Sequence, residues 1–88
     1  MDIIRQILNL LLSRRYQLTD HAIASLDEDG FTFNDVLSCV AAGRLRRSWP
    51  KQRKYEIEGP STDGRAMRVV VRLLSAQLLR IITVYEIR

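Results

Sequence analysis

The chain has little of what most small-domain chemistries need. It holds one cysteine, Cys39, and one histidine, His21, among 88 residues. A lone cysteine cannot close a disulfide within the chain, and the two residues are too few for a zinc site with Cys and His ligands. No metal and no cofactor is therefore expected, and a reducing, cytoplasmic setting follows as the default. There is no Gly-rich phosphate loop, and Cys39 has no second histidine or basic activator near it in sequence. Phosphate-cradling and thiolate chemistries are set aside on those grounds. The opening MDIIRQILNLLLSRR has Asp2 where a leader would be basic, and no small-residue cleavage site follows it. It is expected to belong to the fold. Its apolar run is too short to cross a bilayer, so no membrane partner is expected.

What is present is apolar content of 47%, enough for one modest core in a single domain spanning 1–88. Charge is unevenly spread. Residues 1–42 carry three Arg against six acids, whereas residues 43–88 carry eleven Lys or Arg against four acids. A second half so basic points to a polyanionic partner, either RNA or an acidic protein.

Ile3, Ile4, Ile7, Leu8 and Leu11 form one stripe at helical spacing, which predicts a helix over 2–14. Leu10 and Leu12 widen its apolar face, so a homodimer contact through this helix is an alternative to plain burial. A second helix, 19–28, is expected to start at Thr19 as N-cap and to stop at DEDG. A third, 33–42, begins at Thr32 with Asp35 in a capping-box position, and Gly43 is expected in a left-handed C′ conformation. Beyond Gly43 the period falls to two. Strands are expected at about 44–49, 53–59, 65–74 and 77–87, joined by short turns. Short links favour antiparallel pairing, so the fold class is α+β, with two to three N-terminal helices packed on a four-stranded antiparallel sheet. An exposed edge of that sheet is a second route to a homo-oligomer.

Alternation assigns faces. Met67, Val69, Val71 and Leu73 should cover the helices, which turns Arg68 and Arg72 outward. In the last strand Leu78, Ile82 and Val84 are expected inward, with Ile81, Thr83 and Tyr85 beside those arginines; burial of Ile81 and Ile87 is the alternative. The segment GRLRRSWPKQRKY, residues 43–55, holds Arg44, Arg46, Arg47, Lys51, Arg53 and Lys54 with Trp49 and Tyr55 and no acid. Cations bind phosphates, and Trp49 and Tyr55 can stack on splayed bases. The competing reading is a solvated edge strand, where Lys and Arg block edge pairing. Metal-free RNA cleavage needs a base, an acid and cations on the phosphate. His21 and Tyr85 are the candidate proton-transfer groups, and Arg65 and Lys54 the phosphate holders. A helix-start histidine with a structural role is the alternative for His21.

The motifs RRYQLTDHA, FTFNDVLSCVAAGRL, TDGRAMRVVV and LRIITVYE, in that order, resemble a widespread bacterial and archaeal family of small domains of unknown function. Its pattern reads Tyr-x-Leu-Thr-x-His-Ala, an Ile-x-x-x-Asp-Val helix ending in Gly, an Asp-Gly-Arg-Pro-Leu-His-Val-Val strand and a closing Ile-Thr-Val-Tyr. Members are similar in fold to RelE-like and BrnT-like toxins of the barnase-type ribonuclease group. The resemblance implies a toxin-antitoxin setting or RNA cleavage for some members, and so a toxin-type RNA-binding protein or endoribonuclease; the alternatives are a non-catalytic module whose basic strand face binds an acidic, antitoxin-like protein, and a homodimeric structural protein. By position the signature His is His21, the turn is Asp63, Gly64 and Arg65, and the closing pair is Thr83 and Tyr85. Ser25 and Asp29 stand where members carry Arg, Arg68 where a second His is common, and Ala66 in place of Pro.

Overall fold

The computed structural model describes residues 2–88 and runs helix, strand, two helices and four strands. Asp2 caps the first helix, α1 (Ile3–Leu12), by accepting from Ile4 N at 3.0 Å. Arg14 takes a left-handed conformation, φ 60°, and turns the chain into a short strand, β1 (Tyr16–Leu18). Thr19 caps α2 (Asp20–Asp29) by accepting from Ala22 N at 3.0 Å, and its hydroxyl also donates to Ile82 O at 2.9 Å. Gly30, at φ 68°, ends α2 in the left-handed region that glycine enters at no steric cost. Then come α3 (Phe33–Ala42), β2 (Arg44–Trp49), a 3-10 turn (Pro50–Gln52), β3 (Lys54–Pro60), β4 (Ala66–Ser75) and β5 (Leu78–Glu86).

The strands form one five-stranded sheet in the order β1-β5-β4-β3-β2. Four strands pair antiparallel as a meander, but β1 pairs parallel with β5, Tyr16 against Leu79 and Leu18 against Ile81. The sheet is thus mixed, not the four-stranded antiparallel one expected. A three-residue strand is too short to show alternation, and the whole chain between β1 and β5 serves as the long crossover that parallel pairing requires.

On one face α3 packs on β3 and β4, and α1 packs on α3 and β5. Ile7, Leu11, Val36, Val40, Ile57, Met67, Val69, Val71, Leu79, Ile81 and Val84 meet there fully buried. Ile81 therefore lies inside, opposite the expectation, and the cause is a bulge. Thr83 pairs with Val70 but Ile81 pairs with Val71, so Ile82 is an extra residue that reverses the parity of β5. Leu79 and Ile81 face inward before it, and Val84 after it. The first third of the free β5 edge, Leu79 to Ile81, is occupied by β1. Along the rest runs α2, with Thr19 N bonded to Ile81 O at 3.2 Å and Asp29 Oδ2 accepting from Glu86 N at 3.0 Å. Among the described residues the sheet ends in two edge strands, the three-residue β1 and the longer β2.

Gly43 is extended, φ −94°, not left-handed. Its reason for being glycine is closeness: a β-carbon there would collide with the carbonyl oxygens of Cys39 and Glu58, and one on Gly59 would collide with Cys39 O and the Gly43 backbone. Helix α3 and strand β3 cross at a contact only two glycines allow. At the other end of α3, Asp35 accepts from Thr32 N and Thr62 N, each at 2.8 Å, tying the helix start to the β3–β4 turn.

Candidate nucleic-acid interface

Among the described residues no helix packs on the face of β2, β3 and β4 opposite α3. In register across it stand Arg44, Glu58, Arg68 and Tyr85, then Arg47, Glu56, Val70 and Thr83, then Trp49, Lys54, Arg72, Arg80 and Gln17. Arg46 sits in the β2 bulge between Leu45 and Arg47, and its guanidinium lies 3.8 Å from Glu58. So Arg68 and Arg72 share one surface with Arg44, Arg46, Arg47 and Lys54. Among the described residues the strand positions of this face hold two acids, Glu56 and Glu58.

Both acids are engaged. Arg68 Nε donates to Glu58 Oε1 at 2.9 Å, and Arg44 and Arg46 each approach to 3.8 Å. The Arg68 hydrogen bond first, and the surrounding guanidinium charges after it, hold the Glu58 carboxyl below its usual range. Glu56 is buried, and the Tyr85 hydroxyl donates to its Oε1 at 2.6 Å. Arg68 Nη1 in turn approaches the Tyr85 oxygen at 3.4 Å and the guanidinium lies 5.9 Å from the Tyr85 ring. A phenol so placed has its proton directed at one carboxylate and its oxygen beside a cation. The negative end of the arrangement is inside, and the cations surround it.

Five expected members lie elsewhere. Tyr55 pairs with Val71 and packs against the core on the helix side, because it has the parity of Ile57, so it cannot stack on a ligand at the open face. Arg65 is largely committed: Nε donates to Asp63, Nη1 to Asp29 O at 2.7 Å and to Glu86 at 3.3 Å, and Nη2 to Gly30 O at 3.3 Å. Its guanidinium also lies 4.3 Å from the Phe31 ring. It clamps the end of α2 to the β3–β4 turn, and four of its five N–H donors are used there. His21 is the second residue of α2, exposed, and among the described residues its ring makes no hydrogen bond. It stands one helical turn before Ser25, whose hydroxyl lies 3.2 Å from Thr83 Oγ1, so its stripe of the helix borders the β5 side of the face. Lys51 and Arg53 occupy the corner between β2 and β3, exposed and outside the strand rows.

Sequence reasoning missed Glu56, Glu58 and Arg80. The two glutamates share the parity of Lys54 in KYEIEGP, a signal that was available. Arg80 was hidden by the bulge, since without it the residue would have faced the core. Burial pushes the Cys39 thiol up to about 12, so it is a packing residue with no thiolate character. Among the described residues no group of His, Cys, Asp and Glu is arranged to hold a metal ion, and no helix is long and apolar enough to cross a membrane.

A family model described as a domain of unknown function, DUF4258, matches residues 18–86. None of the curated proteins matches the chain. Among solved structures, the 1.1 Å crystal structure of the Brucella abortus ribonuclease toxin BrnT is similar, with a TM-score of 0.60 at 9% identity, covering 81% of this chain and 92% of that one. At that identity the likeness is one of fold, and function has to be argued from the site.

Proposed function

The chain belongs to the DUF4258 family, and from that premise we propose that it is a toxin-type RNA-binding protein that takes single-stranded RNA on the helix-free face of its sheet. One observation carries the reading: Arg44, Arg46, Arg47, Lys54, Arg68, Arg72 and Arg80 gather on that face, and its two acids are already engaged by Arg68 and Tyr85. Edge protection alone needs basic residues on β2. It does not need them on β4 and β5, which are interior to the sheet. The fold shared with a protein described as a ribonuclease toxin supports the same class.

Tyr85 is the proton-transfer group of this reading. Its oxygen can accept a proton from a ribose 2′-hydroxyl as its own proton passes to Glu56 Oε1, 2.6 Å away; the 2′-oxygen bonds to phosphorus, the P–O5′ bond breaks and the departing 5′-oxygen takes a proton from solvent, while Arg68 steadies charge on the phosphate. Such cleavage is metal-independent. His21, at the border of the face, is the second candidate.

Binding is tested with purified protein and a labelled oligoribonucleotide. Affinity should fall steeply as salt rises, because each neutralised phosphate releases counterions. Binding that is absent, or indifferent to salt, removes the proposal. Cleavage is tested separately: Tyr85→Phe should bind RNA as the parent does and cut it at least about a hundredfold more slowly, the ordinary worth of a general base. An unchanged rate in Tyr85→Phe and in His21→Ala acquits both residues.

A specific observation favours a second reading. The β2 edge is unpaired and exposed, and it carries Arg44, Arg46 and Arg47, which suits an acidic antitoxin-like segment added as a further strand. Such a partner would protect the β2 amides from hydrogen exchange, whereas RNA on the face would leave them exchanging.

A further inference from the structure

The rows of the open face differ in how their cations are balanced. In the row of Arg44, Glu58, Arg68 and Tyr85, one carboxylate sits among three guanidinium groups and holds them in place. Another row crosses all five strands: Trp49, Lys54, Arg72, Arg80 and Gln17 stand side by side from β2 to β1. Its three cations are consecutive, and among the described residues none of them is in a salt bridge. Arg72 Nε is buried without a hydrogen-bond partner, and its Nη2 reaches only Gln52 Oε1, at 3.4 Å. Arg80 likewise reaches Gln17 Oε1 at 3.4 Å.

That row works against the fold. Like charges directly opposite on neighbouring strands destabilise a sheet, and a buried N–H without an acceptor adds to the cost. Among the described residues no carboxylate comes within salt-bridge distance of these three cations to offset it. Adjacent strands lie about 4.8 Å apart, so the three cations span roughly 10 Å in a line at right angles to the strands. At the β2 end, Ser48, Trp49, Pro50, Lys51 and Gln52 line a cavity of about 450 Å³. Lys54 Nζ lies 4.8 Å from the Trp49 ring, so the indole and the ammonium form one unit.

Resting on the reading that this face binds RNA, we propose that the row is a phosphodiester track: an RNA strand crosses the β-strands with its phosphates on Lys54, Arg72 and Arg80 and one base stacked at the Trp49–Pro50 corner. The missing acceptor of Arg72 Nε is then a phosphate oxygen. Gln52 ties the base corner to the track through its contact with Arg72. Arg68, already held by Glu58, steadies the neighbouring row and contributes less free charge to binding.

The experiment is a fluorescence-anisotropy titration of a labelled oligouridylate with the full chain, at several salt concentrations. Variants are K54Q/R72Q/R80Q, R72Q alone, R44Q/R46Q and W49L. Each phosphate contact adds about 0.7 to the slope of log affinity against log salt for a single strand, so the triple variant should lose about 2 of slope and R72Q about 0.7. R44Q/R46Q should lose less than the triple variant. W49L should bind roughly tenfold more weakly with its slope kept, since stacking releases no ions. Melting of the triple variant at or above the parent temperature is expected once opposed cations are gone, and R72Q supplies the readout if the triple variant fails to fold. If the parent binds RNA in a salt-dependent way and the triple variant or R72Q keeps the parent slope, the track is wrong and the RNA reading stands. A parent that binds polyglutamate but no oligouridylate overturns both.

Discussion

Replacing Asp35 by Asn should cost this protein a large part of its stability, and the cost should vanish in acid. Asp35 is 4% exposed and accepts four hydrogen bonds: Thr32 N at 2.8 Å, Thr32 Oγ1 at 3.3 Å, Thr62 N at 2.8 Å and Thr62 Oγ1 at 2.6 Å. Burial pushes its carboxyl up, but those bonds, led by the Thr62 hydroxyl, outweigh it and hold the group at about 2 against an ordinary 3.8. At about 1.4 kcal/mol per pH unit, that gap is worth about 2 kcal/mol to the folded state. Because the folded value lies below the unfolded one, the contribution is complete above the unfolded value and is lost as pH falls from about 4 towards 2. An Asn at this position presents an NH₂ to one of two threonine amides, leaving donor facing donor in a buried place. Asp35→Asn should therefore melt about 8–16 °C lower at neutral pH, as 2 kcal/mol implies for a domain of this size. The assay is urea or thermal unfolding followed by circular dichroism across the acid range. The gap between parent and variant should close as pH approaches 2. A gap that stays constant with pH, or a variant within a degree or two of the parent at neutral pH, refutes the reasoning.

Gly43→Ala and Gly59→Ala should each cost about 1–3 kcal/mol, because the added carbon meets the Cys39 carbonyl at the α3–β3 crossing; thermal melts of both would check it. Gly30→Ala, with open space around it but φ 68°, should cost about 1 kcal/mol through backbone strain alone. Arg65→Met should lower the melting temperature by several degrees, since Asp29 O and Gly30 O lose their donor, yet leave the salt slope of RNA binding unchanged. A reduced slope would return Arg65 to the phosphate-binding set.

The α+β class was legible because the helices carry local signals, caps for α2 and α3 and an apolar stripe for α1. Thr19 and Gly30 bracket α2, and the apolar spacing of Ile3, Ile7 and Leu11 makes α1 amphipathic. The faces of β4 were legible from strict alternation, Met67 to Leu73 in and Arg68 and Arg72 out. What could not be read was anything decided by pairing. Strand β1 exists because β5 and its neighbours leave an edge for it, not because Tyr16–Leu18 has a pattern of its own. The Ile82 bulge is one extra residue whose effect on Ile81 and Arg80 depends on which partner each meets. Gly43 carried the sequence signature of a helix cap, but its role is set in part by the Glu58 carbonyl in β3, fifteen residues along the chain, a separation that local reasoning does not cover. The same holds for the site. The basic density after Gly43 was visible, whereas the Glu56–Tyr85 bond, which gives the phenol its direction, joins residues from different strands.

The most direct measurement is a ¹⁵N chemical-shift titration of the protein with a short oligouridylate. The account predicts that perturbations concentrate at Lys54, Arg68, Arg72, Arg80 and Tyr85 and at the Trp49 indole N–H, with α1 and α3 silent. Perturbations confined to α1, or to the turn around Arg65, would contradict it, as would a spectrum that does not change.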